Sequence, residues 1–328
     1  MANKIGLKVA ALVLAAGTVL TACTTPATPA ASGSGAASSA PANKTYKIGV
    51  TFPILDQFLQ KVADGISAEA KAKGAEVNIV AADEKTDVQL GQVENFISQK
   101  VDAILVIPVD TDAAGPMTDA AKAANIPLVY VNRRPSDLPE GVPYVGSDSL
   151  YAGTVEMEQL AKLAGGKGNV VILQGDPANE AAVLRTKGCN DVVAKNPGMK
   201  VIKTQAGNWA RDKGQSIMEN WLQSGDDIKV VCANNDEMAL GAINAIKAAN
   251  KKLGADGILV GGVDATSDAL AAMKAKDLAV TVFQDAKGQG GGGVDAALKL
   301  IGGETVEAVV DIPYVLVTPD NMADYEGK

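Results

Sequence analysis

Carboxylates, amides and guanidinium groups recur along this chain at one kind of position, just beyond short apolar runs. Asp56, Gln57 and Phe58 follow the first run. Asn132, Arg133 and Arg134 follow the fourth, and Asp176 and Asn179 the sixth, with Arg185 in the helix after it. Trp209 lies past the seventh, Asn234, Asn235 and Asp236 past the eighth, Asp264 past the ninth, and Gln284 with Asp285 past the tenth. Such a set suits a ligand bearing many hydroxyls, because each hydroxyl both donates and accepts: a carboxylate takes its proton while an amide or guanidinium donates to its oxygen. Aromatic residues make up only 4% of the chain, yet Phe58 and Trp209 fall among these positions. Two flat faces can clamp the C–H faces of a sugar ring. Each residue alone has a plainer role. Asp and Asn after strands cap helices and form turns, Arg133 and Arg134 can be a solvated pair, Phe58 can belong to the core stripe of the first helix, and Trp209 can be a packing residue. The recurrence along the chain favours the ligand reading.

The elements that must position these groups are legible from periodicity. Runs at 46–52, 76–81, 103–109, 127–132 and 144–146, then 169–173, 200–204, 229–233, 257–263 and 279–283, are short and mostly apolar on both faces. That is the pattern of parallel strands covered on each side. Between them lie helical periods such as Leu59, Val62, Ile66 and Leu90, Val93, Ile97. Alternation of this kind predicts an α/β, doubly wound fold, and two series of five strands predict two similar lobes. Ligands of open α/β sheets bind beyond the carboxyl ends of the strands, where the polar residues above are found.

Before residue 44 the chain is of another kind. Lys4 and Lys8 precede an almost wholly apolar run over 9–20, and Leu20-Thr21-Ala22-Cys23 follows at once. A basic start, a short apolar run and small residues before a cut site predict a secretion signal over 1–22. The last four residues resemble the bacterial lipobox, in which the cysteine, here Cys23, becomes the lipid-bearing N-terminus. Residues 24–43 are Ala, Ser, Pro, Thr and Gly with one Asn and no charge, which predicts a flexible tether over 23–43 and an exported protein held to a membrane by lipid.

Composition excludes several function classes. The net charge is −8, or −10 once Lys4 and Lys8 leave with the signal, which argues against a nucleic-acid partner. The chain has no His, and so lacks the commonest general base and metal ligand. It carries no Gly-x-Ser-x-Gly elbow and no phosphate-cradling Walker loop, so an enzyme is disfavoured and neither cofactor nor metal is expected. Gly288-x-Gly290-x-x-Gly293 imitates a dinucleotide fingerprint, but it opens the last βα unit, and no strand-end acidic residue is read about 20 residues on; close helix packing is the plainer reading. Asp110-Thr111-Asp112 lacks the regular oxygen ligands of a calcium loop. Cys189 and Cys232 sit in different elements, and buried free thiols are preferred over a disulfide.

Several segments together carry a family resemblance: 47–51 (Lys-Ile-Gly-Val-Thr), 144–148 (Tyr-Val-Gly-Ser-Asp), 230–241 (Val-Val-Cys-Ala-Asn-Asn-Asp-Glu-Met-Ala-Leu-Gly), 262–265 (Gly-Val-Asp-Ala) and 313–315 (Pro-Tyr-Val). Over 44–328 the chain resembles the periplasmic sugar-binding proteins of the ribose and galactose/glucose type, which feed ABC importers. The resemblance implies a type I periplasmic binding protein: two Rossmann-like lobes joined by a three-segment hinge crossing near 147–149, 284–286 and 312–315. The lobes would be 44–147 with 286–312, and 148–285 with 313–328. Position by position it implies Asp56 and Phe58 as the first-lobe hydroxyl acceptor and stacking ring, and Asn132 and Arg133 as the pair after the fourth strand. Arg185, Asn235, Asp264 and Gln284 become second-lobe and hinge ligands, with Trp209 as the opposing ring. Asn179 and Ala181 stand where the galactose/glucose type has His and Asp, and residues 165–169 replace its calcium loop. A cyclitol such as myo-inositol therefore fits at least as well as a hexose. The expected partners are a small polyol and an ABC permease, with the protein a monomer. The rivals are a ligand sensor of the same fold and a tethered carbohydrate-active enzyme using Asp56 and Asp264. A sugar-responsive repressor would need a DNA-binding headpiece where the lipobox stands.

Overall fold

The computed structural model describes residues 44–328, which form one compact unit. The signal, the lipid-bearing Cys23 and the tether read from the sequence lie outside the described residues. Twelve strands and nine α-helices alternate within 44–328. The first sheet uses β1 (Lys47–Phe52), β2 (Glu76–Ala81), β3 (Ala103–Val106), β4 (Leu128–Val131) and β5 (Tyr144–Gly146). Between them run α1 (Gln57–Lys73), α2 (Thr86–Ser98) and α3 (Gly115–Ala123). Then follow α4 (Ser149–Leu163), β6 (Lys167–Gln174), α5 (Glu180–Ala194), β7 (Gly198–Ala206), α6 (Arg211–Gln223), β8 (Ile228–Ala233), α7 (Asp236–Ala248), β9 (Leu259–Gly261), α8 (Ser267–Lys274) and β10 (Thr281–Phe283). The chain ends through α9 (Ala286–Ile301), β11 (Val309–Asp311), β12 (Val315–Val317) and a short 3-10 turn, Met322–Tyr325.

Strand order in the first sheet is β11-β5-β4-β3-β1-β2, all parallel. The second is β7-β6-β8-β9, also parallel, and is extended by single bridges from Gly261 to Val280 and from Asp264 to Phe283. β10 pairs antiparallel with β12. In both sheets the order reverses beside the first strand, β1 in one and β6 in the other, and such switch points open a crevice at the strand ends. Helices cover both faces. In the first lobe α1 and α9 share one core with β1, β3 and β4, while α2 and α3 share another. In the second lobe α6, α7 and α8 cover one face, and α4 with α5 the other. β11 and β12 were not expected as strands.

The chain passes between the sheets three times, after β5, after β10 and after β11. Gln289, fully buried on α9, ties two of these crossings together. Its amide donates to Ser147 Oγ at 2.8 Å, and Ser147 Oγ donates to the Ile312 carbonyl at 2.5 Å. The Gly-x-Gly-x-x-Gly run lies inside α9. A Cβ on Gly290 would sit 2.3 Å from the Val62 carbonyl oxygen of α1, and one on Gly65 would sit 2.5 Å from the Lys287 carbonyl oxygen. The glycines let two helix backbones touch, as the packing reading requires.

Cys189 and Cys232 are joined in a disulfide, with Cα atoms 6.7 Å apart, which corrects the expectation of free thiols. The bond staples α5 to β8 within the second core. Separate elements in the sequence told against pairing, but helix crossing over sheet brings them side by side. Glu156 lies against this pair, also fully buried. One carboxyl oxygen accepts from the Ala233 amide at 3.1 Å and the other has no partner among the described residues. Burial pushes this carboxyl well above its ordinary value of 4.5. The folded state therefore holds a proton that the unfolded chain releases as pH rises through the carboxylate range, and stability falls with pH there. Asp236, pushed up to about 7 mainly by burial, adds a term of the same sign between 3.8 and 7. The unfolding midpoint should be lower at alkaline than at mildly acidic pH, and Glu156→Gln should flatten that slope. Thermal melts across the range check this, and an unchanged slope in the variant would contradict it.

Candidate functional site

The carboxyl ends of both sheets face one cleft that encloses about 440 Å³ of empty space, part of it open to solvent, at the strand ends where α/β sheets bind ligands. All nine residues read from the sequence line it: Asp56, Phe58, Asn132, Arg133, Arg185, Trp209, Asn235, Asp264 and Gln284. Leu59, Asn179 and Ala181 complete the lining. A larger groove at the outer end of the second lobe is walled by Leu163, Leu259, Met273 and Leu278. It is mostly apolar, with no buried charged side chain in its lining, whereas Arg133, Arg185 and Asp264 are buried in the interlobe cleft, which is the better candidate.

Several of these side chains combine capping with exposure to the cleft. Asp56 caps α1, accepting from the Leu59 amide at 2.7 Å through one oxygen. Burial raises its pKa, against the pull of that amide and of the nearby Arg133. Asn235 caps α7 by accepting from Met238 N at 3.1 Å, and its amide donates to the Trp209 carbonyl at 3.1 Å. The plainer reading thus holds for both, and both still line the cleft.

The guanidinium groups are fixed from behind. Arg133, 8% exposed, donates to the Pro108 carbonyl at 3.1 Å and to that of Val109 at 3.4 Å. Arg134 is exposed and faces a separate hollow near Glu180. Arg185 donates to the Asn234 carbonyl at 2.7 Å, to Gln284 Oε1 at 2.9 Å and to Tyr314 Oη at 2.6 Å. Its guanidinium lies 5.7 Å from the Trp209 ring centre and 5.6 Å from that of Tyr314. Its buried Nε has no partner among the described residues. Asp264, 7% exposed, receives no hydrogen bond on its carboxylate from the described residues. Burial pushes its pKa well up, and Arg185 only partly opposes this. The cleft thus presents free acceptors on Asp56 and Asp264, a free donor on Arg185, and rings at Phe58 and Trp209.

Two kinds of residue escaped the sequence reading. Tyr314, on the third crossing, holds Arg185, and Gln289 accepts from Asn132 Nδ2 at 2.8 Å. Both lie outside the strand-end pattern; Tyr314 falls in the Pro-Tyr-Val segment at the expected third crossing but was given no role there, and no local signal marks Gln289. Asn179 was noted after the sixth strand without being placed in the site. It accepts from Trp209 Nε1 at 2.9 Å and donates across the cleft to the Val109 carbonyl at 3.0 Å. Beside it, the Thr111 amide and hydroxyl donate to the Ala178 carbonyl at 3.0 and 3.1 Å. These three bonds join the lobes beside the cleft.

The sequence profile of the periplasmic binding protein domain matches residues 48–305. A Rhizobium meliloti protein named for rhizopine binding is 45% identical over 86% of this chain and 93% of its own. The xylitol-binding protein of Mycolicibacterium smegmatis is 37% identical over 88% of this chain and 81% of its own. Among solved structures, an ABC transporter solute-binding protein from Bacillus halodurans with bound myo-inositol superposes with a TM-score of 0.83. It is 42% identical, covering 88% of this chain and 99% of that one.

Proposed function

Because the chain belongs to the periplasmic binding protein family, we propose that it captures a cyclitol or monosaccharide between its lobes and delivers it to an ABC importer. The observation that carries this reading is the composition of the interlobe cleft. Acceptors, donors and two rings from both lobes meet there around unused hydrogen-bonding capacity. In the proposed complex Asp56 and Asp264 accept from ligand hydroxyls, and Arg133 and Arg185 donate to their oxygens. Asn132, Asn235 and Gln284 use the amide positions left over from their internal bonds. Phe58 and Trp209 cover the ring faces. Ala181 puts a methyl group beside Asn179, at positions where the galactose/glucose type uses His and Asp, and this favours a cyclitol of the myo-inositol class. The solved relative holding myo-inositol supports the same choice.

The ligand binds one lobe of an open form, and closure adds the other lobe's contacts, so that binding shifts the population toward the closed state. The cleft acts as a binding site rather than a catalytic one. The protein works as a monomer, exported by the signal over 1–22 and anchored through lipid on Cys23.

The test is a thermal-shift panel on residues 44–328 with myo-inositol, xylitol, ribose, glucose and galactose. At ~1,000 times Kd a ligand adds about 4 kcal/mol to the stability of the folded state, so myo-inositol should raise the midpoint by several degrees and be recovered unchanged. If no member of the panel moves the midpoint, the polyol reading fails.

A further inference from the structure

We propose that Asp236 and Thr281 form a brace that aims the Asp264 carboxylate into the cleft, an inference that rests on reading the cleft as the polyol site. Asp236 is fully buried and does not line the cleft, although it directly follows Asn235, which does. Its side-chain bonds converge on one short segment. The Thr266 amide donates to one carboxyl oxygen at 2.7 Å, and Thr281 Oγ1 donates to the other at 2.7 Å. Thr281 Oγ1 in turn accepts from the Ala265 amide at 3.2 Å. The residues so held are unusual. Asp264 has φ of +123° and Ala265 of +54°, in succession and without glycine. Such conformations persist only where the surroundings over-determine them.

The brace matters because no hydrogen bond among the described residues orients this side chain directly. No described residue donates to the Asp264 carboxylate, so its direction follows from its backbone. The backbone is pinned on one side by the neighbouring strand: the Asp264 amide donates to the Val282 carbonyl at 2.8 Å, and its carbonyl accepts from the Gln284 amide at 3.4 Å. On the other side it is pinned through Ala265 and Thr266, by Thr281 and Asp236. The approach of Asp236 also explains Gly262, where a Cβ would lie 2.4 Å from Asp236 Oδ1. Thr281 and Asp236 are therefore positioning residues, acting on ligand only through Asp264.

Threonine and valine have nearly the same shape, which separates the brace from mere packing. In residues 44–328, Thr281→Val removes the hydroxyl, while Thr281→Ser keeps it and loses a methyl group. Titration with myo-inositol should show Kd raised roughly tenfold in T281V, the coupling expected within one hydrogen-bond network, and near the wild-type value in T281S. In an Asp264→Asn background, adding T281V should change Kd little. Without ligand, amide hydrogen exchange at Ala265 and Thr266 should be about tenfold faster in T281V than in the wild type. Wild-type affinity in T281V, an undiminished loss in the D264N background, or unchanged exchange would each overturn the brace. A wild type that binds no polyol would instead remove the reading of the cleft, and the exchange rates would still decide whether the segment is braced.

Discussion

Arg185→Met is expected to remove nearly all ligand binding while leaving a folded protein. The guanidinium donates to Asn234, Gln284 and Tyr314 and stands beside Asp264. Methionine fills most of the same space but strands three acceptors and leaves the Asp264 carboxyl without its nearest cation. Truncating one partner of a buried, charge-assisted network costs between about 2 and 5 kcal/mol, or a factor of roughly 30 to 4,000 in Kd. Arg185→Lys keeps the charge and loses the planar fork, so it should fall between the two. Calorimetric titration with myo-inositol checks this order. Binding by R185M within a few-fold of the wild type would show that Arg185 only holds the hinge.

Removing the Cys189–Cys232 bond is expected to have the largest effect on stability. The bond closes a span of 43 residues, and on the chain-entropy treatment a loop of that size stabilises the folded state by about 4 kcal/mol. The double variant Cys189→Ala/Cys232→Ala should therefore melt roughly 10 °C below the wild type. Alkylation under denaturing, non-reducing conditions, followed by mass measurement, should find both thiols of residues 44–328 blocked. Two alkyl groups on the wild type, or an equal melting point in the variant, would refute the staple.

Most of the fold was legible because parallel strands covered on both sides leave short apolar runs with sharp ends. β2 and β5 fall on their expected bounds. β3 stops at Val106 rather than at residue 109 because the chain leaves the sheet there to offer its Pro108 and Val109 carbonyls to Arg133. β11 and β12 escaped because each is three residues long and largely exposed or half-buried, with no period to read. The site was legible to the extent that topology places strand ends together. Tyr314, Gln289 and the cysteine pair depend on how helices cross the sheets, and Asn179 on how one lobe meets the other. A linear sequence carries no direct sign of either distance.

The bonds between the lobes have a consequence for release of a ligand. Thr111 meets Ala178, and Asn179 meets Val109, each pair bridging one lobe to the other. In the proposed complex the lobes cannot part without breaking these three bonds, so reopening carries a cost that is built into the protein and is independent of which small polyol the cleft holds.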